Sequence, residues 1–101
     1  MKFGLSESDF KLLTDLVITP IKNKSAKIYV FGSRANGKNH KFSDIDLLIE
    51  PTASEVIKIS ELSKIKEQIE ESRFPIKVDI VLMQDLAESY KSRVLMERIE
   101  I

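Results

Sequence analysis

The sequence predicts one α/β domain, more finely α+β, in which a small mixed β-sheet is flanked by helices in the order α-β-β-α-β-α. Three observations predict it. Three short runs rich in β-branched and aromatic residues (KIYVF, FSDIDLLIE and KVDIVLM) alternate with segments whose apolar residues recur every three or four positions. Glycine or proline punctuates those runs, at Gly32, Pro51 and Pro75. The 101 residues are 43% hydrophobic and 32% charged, an ordinary globular mixture of a size for a single domain over residues 1–101. A mixed sheet covered by helices is the simplest way to bury all of these apolar faces.

The elements follow in order. Leu5 to about Ile18 reads as a helix, capped by Ser6 with Asp9 three residues on, and carrying Phe10, Leu13, Leu16 and Val17 at helical spacing. Pro20 marks its expected exit. Lys27–Phe31 is a strand closed by Gly32, and Phe42–Glu50 is a second strand ended by Pro51. Between them lies the polar stretch SRANGKNHK. From about Ser54 to Ser72, Ile59, Leu62, Ile65 and Ile69 mark an amphipathic helix. Lys77–Met83 is the third strand, and Asp85 to about Ile99 the last helix, with Asp85 as its N-cap and Leu86, Tyr90 and Val94 on one face.

Composition excludes whole classes of chemistry. The absence of cysteine removes disulfides, cysteine-ligated metals and thiol nucleophiles, and a single histidine removes histidine-rich metal sites. Sixteen basic residues balance sixteen acidic ones, so no nucleic-acid partner held by bulk charge is expected. No apolar run approaches the roughly 20 residues of a membrane span, and the opening MKFGLSESDF is unlike a secretory signal. The expectation is a cytoplasmic domain without membrane contact, whose chemistry comes from carboxylates, hydroxyls and bases.

Three features converge on one such chemistry. Gly32-Ser33 directly follows a strand, where glycine admits close approach of a ligand, a following helical turn would aim N–H groups at phosphate, and the serine adds a hydroxyl. Asp44 and Asp46 sit two apart in an apolar run, so alternation sets both on one face, with Ile45, Leu47 and Ile49 on the other. Such a pair repels unless a cation lies between, and oxygen-rich sites of this kind suit Mg²⁺ together with substrate phosphates. Asp79 stands among Val78, Ile80, Val81 and Leu82; if its strand neighbours that of Asp44 and Asp46, three carboxylates meet beside the glycine turn, the layout of two-metal phosphoryl or nucleotidyl transfer. From Leu16 to Ser43 the chain holds no acid but six bases, of which Arg34 and Lys38 are assigned to phosphate and the rest to a solvated surface.

These residues resemble the nucleotidyltransferase signature of the DNA-polymerase-β superfamily: Gly-Ser, ten residues, Asp-x-Asp, then a third acid on a later strand. Here it reads Gly32-Ser33, Arg34 through Ser43, Asp44-Ile45-Asp46 and Asp79. Four fixed residues at roughly 7% each match by chance in about one chain in several hundred of this length. The resemblance covers nearly the whole chain and is closest to the minimal nucleotidyltransferase (MNT) group, whose members are commonly antitoxins paired with a HEPN-domain toxin. It implies transfer of AMP from ATP to a hydroxyl of that partner, a tyrosine, in a hetero-oligomer. It also implies two Mg²⁺ ions on Asp44 and Asp46, with Asp79 sharing the acceptor-side ion and helping to deprotonate the hydroxyl, and phosphates gripped by Gly32 and Ser33. Only 22 residues follow Asp79, too few for an acceptor-binding domain, so the acceptor is expected from another chain. One departure is Asn36 before Gly37, where many members carry arginine; either Arg34 or Lys38 supplies that charge, or triphosphate binding is weaker.

Two other readings stand beside this one: nucleotidyl transfer to a small molecule or RNA end, and an antitoxin that masks its partner by contact alone. The remaining conspicuous residues are read as structural. His40 belongs to a solvated loop, Tyr29 and Tyr90 are packing residues with wet hydroxyls, Glu67, Glu70 and Glu71 face solvent, and Met83 and Met96 fill the core.

Overall fold

A computed structural model describes residues 2–52 and 57–101. Its elements are α1 (Glu7–Leu13), a π-helical turn (Thr14–Ile18), α2 (Thr19–Lys22), β1 (Ala26–Phe31), a one-turn α3 (Ser33–Asn36), β2 (Ile45–Pro51), α4 (Ile59–Glu71), β3 (Val78–Leu82), a 3₁₀ turn (Met83–Asp85), α5 (Glu88–Glu97) and β4 (Ile99–Glu100). The expected α+β architecture is present: a four-stranded mixed sheet in the order β3-β2-β1-β4, with helices on both faces. β2 is antiparallel to β1 and parallel to β3, while β4 lies antiparallel along the other edge of β1.

Alternation divides the sheet into two unequal faces. Ile28, Val30, Ile45, Leu47, Ile49 and Ile80 enter the main core, where Leu13, Val17 and Ile21 meet Leu62, Ile65 and Ile69 of α4. On the opposite face Tyr29 and Leu48 pack against Val94 of α5, with Val81, Met83 and Leu86 at the margin. Arg98, just past α5, lies 4.0 Å from the Tyr29 ring centroid and donates to Glu50 Oε2 at 2.8 Å, so α5 is held across this face by its end as well.

Several boundaries differ from the sequence reading, each for a local reason. Ser6 caps α1 as expected, accepting from the Asp9 N–H at 3.1 Å. The helix does not leave at Pro20, however, but runs on to Lys22. The turn before the proline widens to π geometry, Thr19 N–H reaching back to the Thr14 carbonyl, and this absorbs the missing N–H and ring bulk of Pro20. The second strand begins at Ile45 rather than Phe42, because residues 40–43 close a turn of their own: Ser43 N–H donates to the His40 carbonyl, and His40 N–H to Ser43 Oγ. Phe42 is consequently left on the surface.

The fourth helix is seen from Ile59; Ser54 to Val56 of its expected span lie outside the described residues. The last helix starts at Glu88 behind a 3₁₀ turn that takes up Asp85, so Asp85 is not its cap. Ile99, expected in that helix, instead opens β4, a two-residue strand too short to leave a periodic signature. Met83 packs as expected, but Met96 is 86% exposed and fills no core. No described helix is long and apolar enough to cross a membrane.

Candidate active site

The sheet brings the end of β1 and the starts of β2 and β3 to one place. Phe31 pairs with Asp46 across the antiparallel ladder, and Asp46 pairs with Asp79 across the parallel one. Asp46 and Asp79 therefore project side by side from the face that α5 partly covers, both half-buried. Asp44 stands one residue before β2, exposed, and its charge still acts on Asp46. The strand adjacency that the sequence left conditional thus exists, and it sets two of the three carboxylates side by side.

Electrostatics shows how tight the arrangement is. Burial, then the charges of Asp79 and Asp44, then a hydrogen bond between the Asp46 and Asp79 carboxyls push the Asp46 pKa up from 3.8 to about 6, against a smaller opposing pull from Lys77. Lys77 Nζ lies 3.6 Å from Asp79 Oδ1. Among the described residues no group of three or more acidic, histidine or cysteine side chains is placed to hold a metal ion. Mg²⁺ does not require one, since it takes one or two protein carboxylates and completes its shell with phosphate and water. Asp46 and Asp79 meet that description, and the crowding on Asp46 is what a cation would relieve. The donor set fits.

Gly32 is the hinge between strand and site. Its φ of +74° is strained for any other residue, and a Cβ there would come within 2.5 Å of Asp46 Oδ2. Glycine is required twice over, for the bend and for the space of the carboxylate. Ser33 follows at the start of α3, and Gly37 ends that turn with Lys38 N–H donating to the Ser33 carbonyl. Gly32, Ser33, Asn36 and Lys38 form one wall of a cleft of about 360 Å³, whose other wall is α5, including Tyr90 and Arg93. Tyr90 is 61% exposed there and does not pack, contrary to the sequence reading, whereas Tyr29 is buried as expected.

Arg34 is placed differently from the phosphate role the sequence assigned it. It is 3% exposed, and its guanidinium is turned away from the cleft's solvent onto backbone carbonyls. Nε and NH2 donate to the Ser43 carbonyl at 3.0 and 2.9 Å, NH2 also reaches Lys41 at 3.3 Å, and NH1 donates to the Phe3 carbonyl at 2.8 Å. One side chain thereby ties α3, the N-terminal turn and the segment entering Asp44. Pattern could not find this, because the carbonyls belong to residues of unrelated type. His40 is exposed and accepts from the Phe42 N–H through Nδ1, so it shapes the turn.

A nucleotidyltransferase domain family model matches residues 16–101. The chain belongs to that family. Among solved structures, this nucleotidyltransferase is similar to one described as a minimal nucleotidyltransferase, at 26% identity and a TM-score of 0.70, covering 96% of this chain and 97% of the other. It also shares its fold with a toxin–antitoxin complex crystallised with AMP-PNP (20% identity, TM-score 0.64, 85% of this chain and 69% of the other). A variant of the MntA-HpeT toxin–antitoxin pair is comparable, at 24% identity and a TM-score of 0.62, covering 96% of this chain and 72% of the other. No curated protein is significantly similar in sequence.

Two outcomes are expected of this nucleotidyltransferase. Arg34→Met, which strands the Ser43 and Phe3 carbonyls, should lower unfolding free energy by about 3 kcal/mol in urea titrations; a loss below about 1 kcal/mol would show that water replaces the guanidinium. The second concerns pH. Asp46 has its pKa raised on folding, so its ionisation destabilises the metal-free fold above about pH 6, and this penalty fades as pH falls toward 3.8. Asp46→Asn should therefore be the more stable protein at pH 7 without metal, by about 1 kcal/mol once screening at a half-exposed site is allowed for. The gap should close near pH 4, and a gap constant from pH 4 to 7 would contradict the assignment.

Proposed function

We propose that this nucleotidyltransferase transfers AMP from ATP, with Mg²⁺, to a tyrosine hydroxyl of a HEPN-type toxin, and so acts in the cytoplasm as the antitoxin of the pair. The observation that carries the reading is the register of Asp46 against Asp79 beside the Gly32 turn, with Asp44 one step away. The toxin partner is supported by the fold shared with two toxin–antitoxin structures, one of them holding the ATP analogue AMP-PNP.

The chain's own groups divide the work as follows. Ser33, through its hydroxyl and backbone, and Lys38 hold the β- and γ-phosphates along the loop wall. Asp44, Asp46 and Asp79 would hold Mg²⁺, which supplies charge neutralisation on the phosphates and acidifies the acceptor hydroxyl. Asp79, on the outer side of the carboxylate pair, takes up the hydroxyl proton. The hydroxyl oxygen bonds to the α-phosphorus, the bond from that phosphorus to the bridging oxygen breaks, and pyrophosphate leaves in line. The product is a tyrosine joined to AMP by a phosphodiester.

Growth of cells producing the toxin tests this directly. The native chain should restore growth, while Asp44→Asn/Asp46→Asn and Asp79→Asn should fail although each still co-purifies with the toxin. Rescue by the double variant would mean that the antitoxin masks its partner by contact and that the carboxylates serve no transfer.

A further inference from the structure

The cleft beside Ser33 has a second wall that the functional reading does not use. Taking that reading as its basis, we infer that Tyr90 and Arg93 of α5 are nucleotide-binding residues, Arg93 receiving the phosphate chain and Tyr90 the base. The two are three residues apart on the helix and therefore share a face, which borders the same 360 Å³ space as Gly32, Ser33, Asn36 and Lys38. A cavity of this size lies within the range of small-ligand sites.

The charge of the cleft needs this second wall. A nucleoside triphosphate brings several negative charges into a cleft that Glu97 also lines and that Gly32 joins to Asp46, and the loop wall offers few cations to meet them. Arg34, the nearest in sequence to Ser33, is buried with its guanidinium on carbonyls. Asn36 is neutral, which leaves Lys38. Arg93 stands opposite, its side chain 73% exposed, and its ion pair to Glu97 Oε1 is long at 3.4 Å and uses Nε. The terminal NH1/NH2 edge of the guanidinium remains to take phosphate oxygens in a fork, a geometry lysine lacks.

Tyr90 complements it. A tyrosine ring exposed on a helix gains nothing for folding, yet at the edge of a phosphate cleft it presents a flat face on which a base can stack. The guanidinium and the ring thus match the two chemically distinct halves of a nucleotide, charged and aromatic.

Calorimetric titration with ATP and with inorganic tripolyphosphate, both with Mg²⁺, separates the two roles. Arg93→Gln should weaken both ligands by about tenfold or more, whereas Tyr90→Ala should weaken ATP about tenfold and leave tripolyphosphate unchanged. Tyr90→Phe should bind ATP like the native chain, since the ring and not the hydroxyl is required. Both side chains are exposed, so circular dichroism should show the variants folded. Native affinity for ATP in both Arg93→Gln and Tyr90→Ala would overturn this inference and leave the functional reading intact. A native chain that binds no ATP would overturn both.

Discussion

The pairing register of β2 is the constraint on which the molecule depends. Ile45, Leu47 and Ile49 are fully buried in the main core, and with a side-chain period of two their burial leaves Asp46 no choice but the opposite face. A slip of one residue would drive a carboxylate into that core and expose three aliphatic side chains. Ordinary hydrophobic packing therefore fixes the position of Asp46. The same strand transmits that position in both directions, to Asp79 through the parallel ladder and to the Gly32 turn through the antiparallel one.

Around this strand, two devices resolve the conflict between a tight turn and a crowded acidic site. Gly32 gives up its side chain so that Asp46 has room. Arg34 then fastens the loop that glycine has loosened, gathering carbonyls from Phe3 to Ser43 onto one buried cation. The long excursion from β1 to β2 returns to the sheet at Asp44 because that cation ends it there. Fastening withdraws the Arg34 guanidinium from the cleft, whose α5 wall carries that of Arg93.

What the sequence made legible follows period and punctuation. The main-core face, the three strands with their carboxylates and the Ser6 cap all carry strong local signals, and a fixed spacing from Gly32-Ser33 to Asp44-Ile45-Asp46 needs no tertiary knowledge to read. The misplaced parts are those decided by tertiary contact. Phe42 looks like strand until Arg34 claims the carbonyls beside it. Pro20 looks like a stop until a π turn accommodates it. β4 is two residues long and exists only because β1 offers an edge. Arg34 is misplaced for the same reason: a basic residue near a phosphate loop reads as a ligand, and whether it is buried instead depends on the packing of distant segments. Tyr90 likewise shares a helical face with Val94, but α5 is buried only along a narrow line.

In the proposed reaction these carboxylates direct attack on the α-phosphorus of ATP. The protein and the proposed toxin partner would be given ATP labelled at either the α- or the γ-phosphate, with Mg²⁺, and the proteins separated afterwards. The toxin should carry α-label and no γ-label, and neither label with Asp44→Asn/Asp46→Asn. Transfer of γ-label, or no transfer of either from ATP that is demonstrably bound, would contradict the proposed reaction.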